Sequence, residues 1–329
     1  MPVIGRRAAL LLALPLPALA EAPDLPAIQR AAEATADLRT LIVARQGEML
    51  VQRVLRGPGL DAPANVKSAS KTIVATLAGI GLARGVLQGL YQPAAPLLAG
   101  RIPAEADPRV RDITIGHLLS MQAGLESTSG RNYGAWVASR DWVRFVLSRP
   151  MVDEPGGRMI YSTGSSHLLG LALVRASRRS LRDLAQDWLF GPLGFAVPDW
   201  MRDPQGQHFG GNEMALSPRA LLAFGECCRQ GGVAGGQEVI PAAFLRDAWV
   251  PRGQSSFSGQ LYGLGWWIGQ AGGHAVYFAW GYGGQMVYVL PGLGVTVVMT
   301  SNPDVPRVLG QVFTRHALLV DGILPALGA

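Results

Sequence analysis

Ser68 and Lys71 are the residues whose types and spacing most directly indicate chemistry. They form an S-x-x-K pattern at the start of a predicted helix. Residues three apart share a helix face, so the Ser68 hydroxyl and the Lys71 amine can meet there. The helix N-terminus also favours negative charge that develops on the serine. The pair could supply a nucleophile and its base; alternatively, Ser68 could simply cap the helix.

The use of lysine in this chain favours a special role for the pair. Of the 29 basic residues, 27 are Arg and only two are Lys, at positions 67 and 71. Arg keeps its proton near neutral pH whereas a buried Lys can release it, so Lys is required where a neutral amine must act as a base. A solvated pair of lysines is the alternative interpretation, and the neighbouring motifs are needed to judge it.

A second motif, Tyr161-Ser162-Thr163-Gly164, follows about ninety residues later and precedes Leu168-Leu169-Gly170 in a predicted helix. Four further segments of the chain belong to the same set of motifs. They are Ile113–Met121 with Ala123–Leu125, Met214–Phe224, Tyr262–Trp267, and Gly281–Gln285 with Pro291. Together these motifs resemble the serine β-lactamase and penicillin-binding-protein superfamily, in its class C and esterase branch. That branch includes 6-aminohexanoate-oligomer hydrolases, and the resemblance covers roughly residues 35–302.

The resemblance implies roles for the reactive residues. Ser68 would be the acylated nucleophile, Lys71 its base partner and Tyr161 the second member of the proton-transfer system. The backbone N–H groups of Ser68 and Tyr282 would form the oxyanion hole, which needs donors and no particular side chain. A buried aromatic residue with a hydrogen-bonded hydroxyl is the alternative interpretation of Tyr161.

The resemblance also implies a substrate-binding strand. The family's third element, Lys-Thr-Gly or His-x-Gly, falls on Ala279-Trp280-Gly281, with the register set by Gly281 and Gly284. Two residues depart from the β-lactamase pattern: Thr163 replaces an Asn that holds the substrate amide, and Ala279 replaces a cation that attracts its carboxylate. We therefore expect Thr163, Ala279, Trp280 and Gly281 to contact an uncharged ester or amide. Trp266 and His274 are further candidates for lining the cleft, with core or surface positions left open.

Three functions remain consistent with these motifs. The first is a serine hydrolase that cleaves an ester or amide through an acyl-enzyme on Ser68. The second is a weak β-lactamase or a hydrolase of D-peptides from the cell wall. The third is a penicillin- or peptidoglycan-binding protein that is acylated without turnover.

The composition excludes several other classes of protein. With 49% hydrophobic and 16% charged residues, the chain of 329 residues can bury a large core and is not disordered. The net charge of +6 is spread singly, without the basic runs typical of nucleic-acid binding. Cys227 and Cys228 are adjacent, and we expect them to be free or buried thiols in a helix. The five His residues are far apart in the sequence. Neither a metal site nor a cofactor is expected.

Residues 1–20 are typical of an export signal. Arg6 and Arg7 precede an apolar stretch, Ala8–Leu19, that ends in the small-x-small site Ala18-Leu19-Ala20. The paired Arg residues resemble a twin-arginine signal, and an ordinary secretory signal is the alternative. No later apolar run is long enough to span a membrane. We therefore expect a periplasmic or secreted protein; the oligomeric state is left open.

The pattern of apolar residues predicts an α+β fold. Strand patterns lie at both ends of the chain and helical patterns between them, which implies an antiparallel sheet built from both chain ends and flanked by helices, with an inserted helical region. We expect a sheet domain of residues 21–85 and 205–329 and a helical domain of residues 86–204, with the ligand in the cleft between them. Predicted strands are Thr40–Val43, Met49–Leu55, Leu264–Ile268, Val276–Trp280, Met286–Leu290 and Val295–Thr300. Predicted helices are Ser68–Ala83, Ile115–Met121, Trp136–Leu147, Ser165–Arg175, Leu181–Leu189, Pro218–Arg229 and Pro306–Leu319.

Overall fold

The computed structural model describes residues 22–304 and 311–329. The predicted signal segment, residues 1–20, and the first residues of the predicted C-terminal helix lie outside this part of the chain. The α-helices are α1 Leu25–Glu33, α2 Ser70–Ala83, α3 Ile115–Leu119, α4 Tyr133–Val137, α5 Trp142–Leu147, α6 Thr163–Ser177, α7 Leu181–Ala185, α8 Pro218–Arg229, α9 Ala242–Ala248, α10 Gln311–Ala317 and α11 Leu324–Ala326. The strands are β1 Leu38–Arg45, β2 Glu48–Val54, β3 Ala64–Asn65, β4 Ala215–Leu216, β5 Val233–Ala234, β6 Gln237–Glu238, β7 Gly253–Gln254, β8 Leu261–Tyr262, β9 Trp267–Ala271, β10 His274–Gly281, β11 Gln285–Leu290 and β12 Val295–Ser301.

The main sheet joins the two ends of the chain, as predicted. Its eight strands run in the order β2-β1-β12-β11-β10-β9-β8-β7, and the pairs with a defined register are antiparallel. Strand β12 from the C-terminal part therefore pairs directly with β1 from the N-terminal part. The fold is α+β, with helices on both faces of this sheet.

The centre of the sheet is buried on both faces. All residues of β11 and β12 are buried, which explains their nearly continuous apolar sequences. One face packs against α2 and α8, and the other against α1 and a π-helical turn, Leu318–Ile323, in the C-terminal segment. Helix α2 thus packs against a fully buried layer of side chains.

Helix α2 runs through the core and carries the candidate residues at its N-terminal end. A Cβ at Gly79 would lie 2.2 Å from the ring of Phe244, and one at Gly81 would lie 2.9 Å from Leu173 Cδ1. Both glycines therefore let neighbouring elements approach α2 closely.

Three predicted elements differ from the structure. The single helix over 136–147 is wrong: α4 ends at Val137 and α5 begins at Trp142, because the Asp141 side chain caps α5 by accepting from Arg144 N at 2.9 Å. The strand placed at 264–268 begins instead at Trp267, since Gly265 turns the chain with a φ of +79°. The helix over 181–189 continues beyond Ala185 as a π-helical turn.

The larger core cluster joins the sheet to the helical region, because it contains residues of β1 and β12 as well as of α3, α4 and α6. The division into a sheet domain and a helical domain stays a prediction. Within the residues that the structure describes, no helix is long and apolar enough to cross a membrane.

Candidate active site

Ser68 lies in a 3₁₀ turn, Lys67–Ala69, that leads directly into α2. Lys71 Nζ donates a hydrogen bond of 2.9 Å to Ser68 Oγ, across the expected three-residue spacing. The N-cap of α2 is Ala69, and no side chain caps this helix end. The Ser68 hydroxyl thus faces the lysine amine and not the orphan N–H groups of the helix.

Lys71 is buried, and no carboxylate of the described residues pairs with its amine. Its side chain is 3% exposed, and its amine also donates to the carbonyl oxygen of Gly211 at 2.7 Å. The ring of Tyr161 lies 5.0 Å from Nζ. Burial lowers the pKa of Lys71 from 10.5 to about 7. A large share of this amine is therefore neutral near pH 7, where it can accept a proton from Ser68.

Tyr161 precedes α6 and completes the group of three residues that the structure brings together. Burial raises the pKa of Tyr161 to about 12, although a hydrogen bond with Ser68 opposes the rise. Its phenol therefore keeps its proton in the pH range where Lys71 titrates. Near pH 7, Lys71 can therefore act as a base and Tyr161 as a proton donor.

A ladder of hydroxyl groups fixes the segment that carries Tyr161. Three consecutive residues of one loop bond three consecutive residues before and at the start of α6: Ser127 Oγ to Tyr161 O at 2.7 Å, Thr128 Oγ1 to Ser162 Oγ at 3.1 Å, and Ser129 Oγ to Thr163 Oγ1 at 2.9 Å. Sequence reasoning missed this loop, whose only signal is its run of Ser and Thr.

Thr163 takes part in that ladder and is 3% exposed. Its backbone N–H donates to Ser129 Oγ at 2.9 Å as well. The structure therefore gives the Thr163 hydroxyl a partner within the protein, in place of the substrate contact that the sequence suggested.

Gly281 brings the end of β10 against the turn before Ser68. A Cβ at this position would lie 2.1 Å from the carbonyl oxygen of Val66, so only glycine permits the approach. Tyr282 follows at the β10–β11 turn and is 42% exposed. This packing brings the residue before Tyr282 against the turn that leads to Ser68. The oxyanion hole formed by the backbone of Ser68 and Tyr282 stays a prediction.

Ala279 and Trp280 point to opposite faces of β10, as neighbours in a strand must. Ala279 is 1% exposed and packs in the larger core cluster, so it presents no surface to a substrate, contrary to the expectation. Trp280 is half-buried, and its ring lies 5.1 Å from Trp267 and 5.9 Å from Phe257.

Trp267 and Phe257 also surround Tyr161, at ring distances of 5.5 and 5.9 Å. Sequence reasoning did not select either of them. It selected Trp266, which is fully buried and stacks on Phe224. The other candidate, His274, begins β10 and lies seven residues before Gly281, a distance of about 23 Å along a strand. Neither Trp266 nor His274 lies beside Ser68.

The loops on either side of Lys71 are joined by an ion pair. Lys67 Nζ lies 3.0 Å from Glu213 Oε1, and Asn65 bonds both residues. Lys67 and Glu213 have positive φ angles of 50° and 61°, which are unfavourable for residues with a side chain. This pair holds two strained turns together next to the candidate nucleophile.

The cysteines and the potential metal ligands stand apart from this site. Cys227 and Cys228 are free and buried in α8, as predicted, and burial raises the pKa of Cys227 to about 12. Across residues 22–304 and 311–329, no group of three or more His, Cys, Asp or Glu could hold a metal ion.

Solved structures with the same fold include several hydrolases. A D-stereospecific amidohydrolase from a Streptomyces species matches with a TM-score of 0.69 and 20% identity, over 88% of this chain and 98% of that one. EstCE1, a hydrolase with promiscuous acyltransferase activity, matches with a TM-score of 0.73 and 19% identity, over 92% and 98%. A penicillin-binding-protein homologue from Caulobacter crescentus matches with a TM-score of 0.72 and 18% identity, over 92% and 98%.

No curated protein matches the sequence. The family model described as Beta-lactamase matches residues 31–320, which include every residue of the site built above. The chain therefore belongs to the Beta-lactamase family.

Proposed function

We propose that this protein is an exported serine hydrolase that cleaves an uncharged carboxylic ester or amide through an acyl-enzyme on Ser68. The main support is the hydrogen bond of 2.9 Å between Ser68 Oγ and the buried amine of Lys71, whose pKa is about 7. A neutral amine at this distance can remove the hydroxyl proton as the oxygen attacks a carbonyl carbon. Membership of the Beta-lactamase family and the hydrolases among the structural neighbours agree with this reaction.

The reaction takes two steps. In acylation, Ser68 Oγ bonds the substrate carbonyl carbon while its proton moves to Lys71 Nζ, and the bond to the leaving group breaks. The phenol of Tyr161, whose pKa is about 12, gives its proton to the leaving group and takes the proton that Lys71 carries. In deacylation, water attacks the acyl carbon and gives a proton to Lys71 Nζ. The ester bond to Ser68 Oγ then breaks, and Lys71 returns this proton to Ser68 Oγ.

The preference for an uncharged substrate rests on the walls of the site. The rings of Phe257 and Trp267 pack against Tyr161, and the ring of Trp280 packs against both of them. Lys67, the lysine nearest to Ser68 in sequence, is already paired with Glu213. A substrate carboxylate would gain little there, whereas an apolar acyl or leaving group would bury surface against the rings.

The deciding experiment compares p-nitrophenyl butyrate with the carboxylate-bearing cephalosporin nitrocefin, with Ser68→Ala protein as the blank. We expect many turnovers of the ester and a kcat/KM at least roughly tenfold above that for nitrocefin, because a missing charge-assisted contact of about 1.5–3 kcal/mol corresponds to roughly ten- to hundredfold. Faster turnover of nitrocefin would favour the β-lactamase alternative. Release of one equivalent followed by arrest would favour the non-hydrolytic binding protein.

Export is tested separately, by the mass of the mature protein. Cleavage after Ala20 predicts a secreted or periplasmic product that begins at Glu21. Full-length protein retained in the cytoplasm would contradict this part of the proposal and leave the chemistry untouched.

A further inference from the structure

His167 is a buried polar residue of α6 for which the proposed reaction has no use. Its side chain is 1% exposed and lies among aromatic rings, with Trp142 at 5.6 Å and Phe209 at 5.9 Å. Its Nε2 lies 3.2 Å from Oδ2 of Asp203, whose side chain is fully buried. A histidine and a carboxylate are costly to bury, so their placement calls for an explanation.

The hydrogen bonds of His167 define its tautomer. The backbone N–H of Gly210 donates to Nδ1 at 3.2 Å, so this nitrogen carries the lone pair. The ring proton therefore sits on Nε2 and is donated to Asp203. Oδ1 of Asp203 accepts from the backbone N–H groups of Gln205 and Gln207, at 2.9 and 2.8 Å. The pair thus organises the whole segment of residues 203–210.

The residue after Gly210 holds the candidate base. The carbonyl oxygen of Gly211 accepts the hydrogen bond of 2.7 Å from Lys71 Nζ. The backbone of Gly210 and Gly211 packs closely against α6. A Cβ at Gly210 would lie 2.7 Å from Ser166 O, and one at Gly211 would lie 2.8 Å from Ser166 Cβ. A shift of Gly210 would therefore be passed directly to the carbonyl that holds the lysine.

We propose that His167, oriented by Asp203, is a positioning residue: it anchors Gly210 and so fixes the Gly211 carbonyl that holds the Lys71 amine against Ser68. This inference rests on the proposed function, because it assumes that Lys71 serves Ser68. The alternative is that His167 and Asp203 only stabilise the fold.

Two substitutions of His167 separate these explanations. Asn places its amide oxygen near the position of Nδ1, so His167→Asn can still accept from Gly210 but leaves the Asp203 carboxylate without its donor. Gln places its amide nitrogen near Nε2, so His167→Gln keeps the contact with Asp203 but gives up the anchor of Gly210. A positioning role predicts that His167→Asn is the more active variant although it is the less stable one. A purely structural role predicts that activity follows stability.

Asp203→Asn tests the same point with a nearly isosteric change. The new amide N–H₂ faces His167 Nε2, which must then accept, so the ring proton moves to Nδ1 and opposes the N–H of Gly210. The matched control is Asp199→Asn. Asp199 bonds a second buried histidine, His208, at 2.7 Å, and the Asp199 carboxylate is 59% exposed.

The readout is the rate at which a fluorophosphonate labels Ser68, followed by intact mass, with Tm measured for every variant. We expect Asp203→Asn and His167→Gln to slow labelling at least roughly tenfold, a loss typical of a displaced catalytic group. The labelling rate of His167→Asn should stay within roughly threefold of the wild-type rate. Asp199→Asn should be labelled at the wild-type rate. Wild-type-like labelling of Asp203→Asn, or activities that follow Tm, would overturn the positioning role alone. A wild type that is not labelled at Ser68 would overturn the proposed function and this inference with it.

Discussion

Lys67 and Lys71 lie four residues apart in the chain and have different electrostatic environments. The side chain of Lys67 is 22% exposed and forms an ion pair of 3.0 Å with Glu213. Lys71 is 3% exposed, donates to a hydroxyl and a carbonyl, and has a pKa lowered by burial to about 7. The same side chain thus stabilises a turn at one position and is prepared to exchange a proton at the other.

The difference comes from what each neighbouring segment offers. Glu213 supplies a full negative charge to Lys67, whereas Gly211, two residues earlier, offers Lys71 only a carbonyl dipole. A buried ammonium without a carboxylate loses the energy of hydration and regains little of it, so the neutral amine is favoured. The segment of residues 211–213 therefore gives the two lysines different partners, a carboxylate for Lys67 and a backbone carbonyl for Lys71.

The largest expected effect belongs to Ser68→Ala. If Lys71 serves this hydroxyl, the substitution should lower ester hydrolysis by roughly 10³-fold or more and abolish fluorophosphonate labelling. The free energy of unfolding should change by less than about 1 kcal/mol, since Ser68 caps no helix. Rates, intact mass and urea unfolding check the three points. Undiminished hydrolysis by a pure variant would assign the chemistry to another residue.

Replacing each lysine by arginine tests the comparison itself. Lys71→Arg cannot supply a neutral amine and should lose roughly 10²- to 10³-fold in kcat/KM. Lys67→Arg keeps the charge that pairs with Glu213 and should stay within roughly threefold of wild type. Steady-state kinetics of both variants on one ester are sufficient. Equal losses at the two positions would show that the contrast between them has no catalytic meaning.

Much of the fold could be predicted because its signals are local. Helix α8 has the predicted bounds, since Ser217 caps it and Pro218 occupies its first turn. The β1–β2 hairpin follows from two β-rich runs around a polar turn at Gln46 and Gly47. The pair Ser68 and Lys71 could be found for the same reason, because they are only three positions apart.

The contacts that shape the site could not be predicted because they join distant parts of the chain. Gly211 lies 140 residues from Lys71, and Ser129 lies 34 residues from Thr163. The residues around Lys71 or Thr163 in the sequence do not indicate which distant residue each one contacts. Trp266 and Trp267 illustrate a second limit: neighbours in sequence point in different directions, so a shift of one residue decides which ring reaches Tyr161.

The pH dependence of hydrolysis sharpens the comparison further. With a pKa of about 7, Lys71 predicts that kcat/KM falls by about tenfold for each pH unit well below 7, as the amine becomes protonated. Tyr161, with a pKa of about 12, predicts no second decline below about pH 10. A pH–rate profile with a neutral ester measures both. An acidic limb centred near pH 4.5 would point to a carboxylate base instead.

The last effect is thermodynamic: Lys71→Met and Lys67→Met should shift the free energy of unfolding in opposite directions at pH 7. Folding lowers the pKa of Lys71 from 10.5 to about 7, so between these pH values the unfolded chain binds more protons and wild-type stability rises with pH. Lys71→Met should therefore be more stable than wild type at pH 7, by at most about 5 kcal/mol, and this advantage should shrink towards pH 10.5. Lys67→Met loses a half-buried ion pair and should be destabilised by about 1 kcal/mol or less at pH 7. Urea unfolding at pH 7 and pH 10 measures both differences. An advantage of Lys71→Met that is independent of pH would show that the Lys71 amine stays charged in the folded protein, and the contrast between the two lysines would disappear.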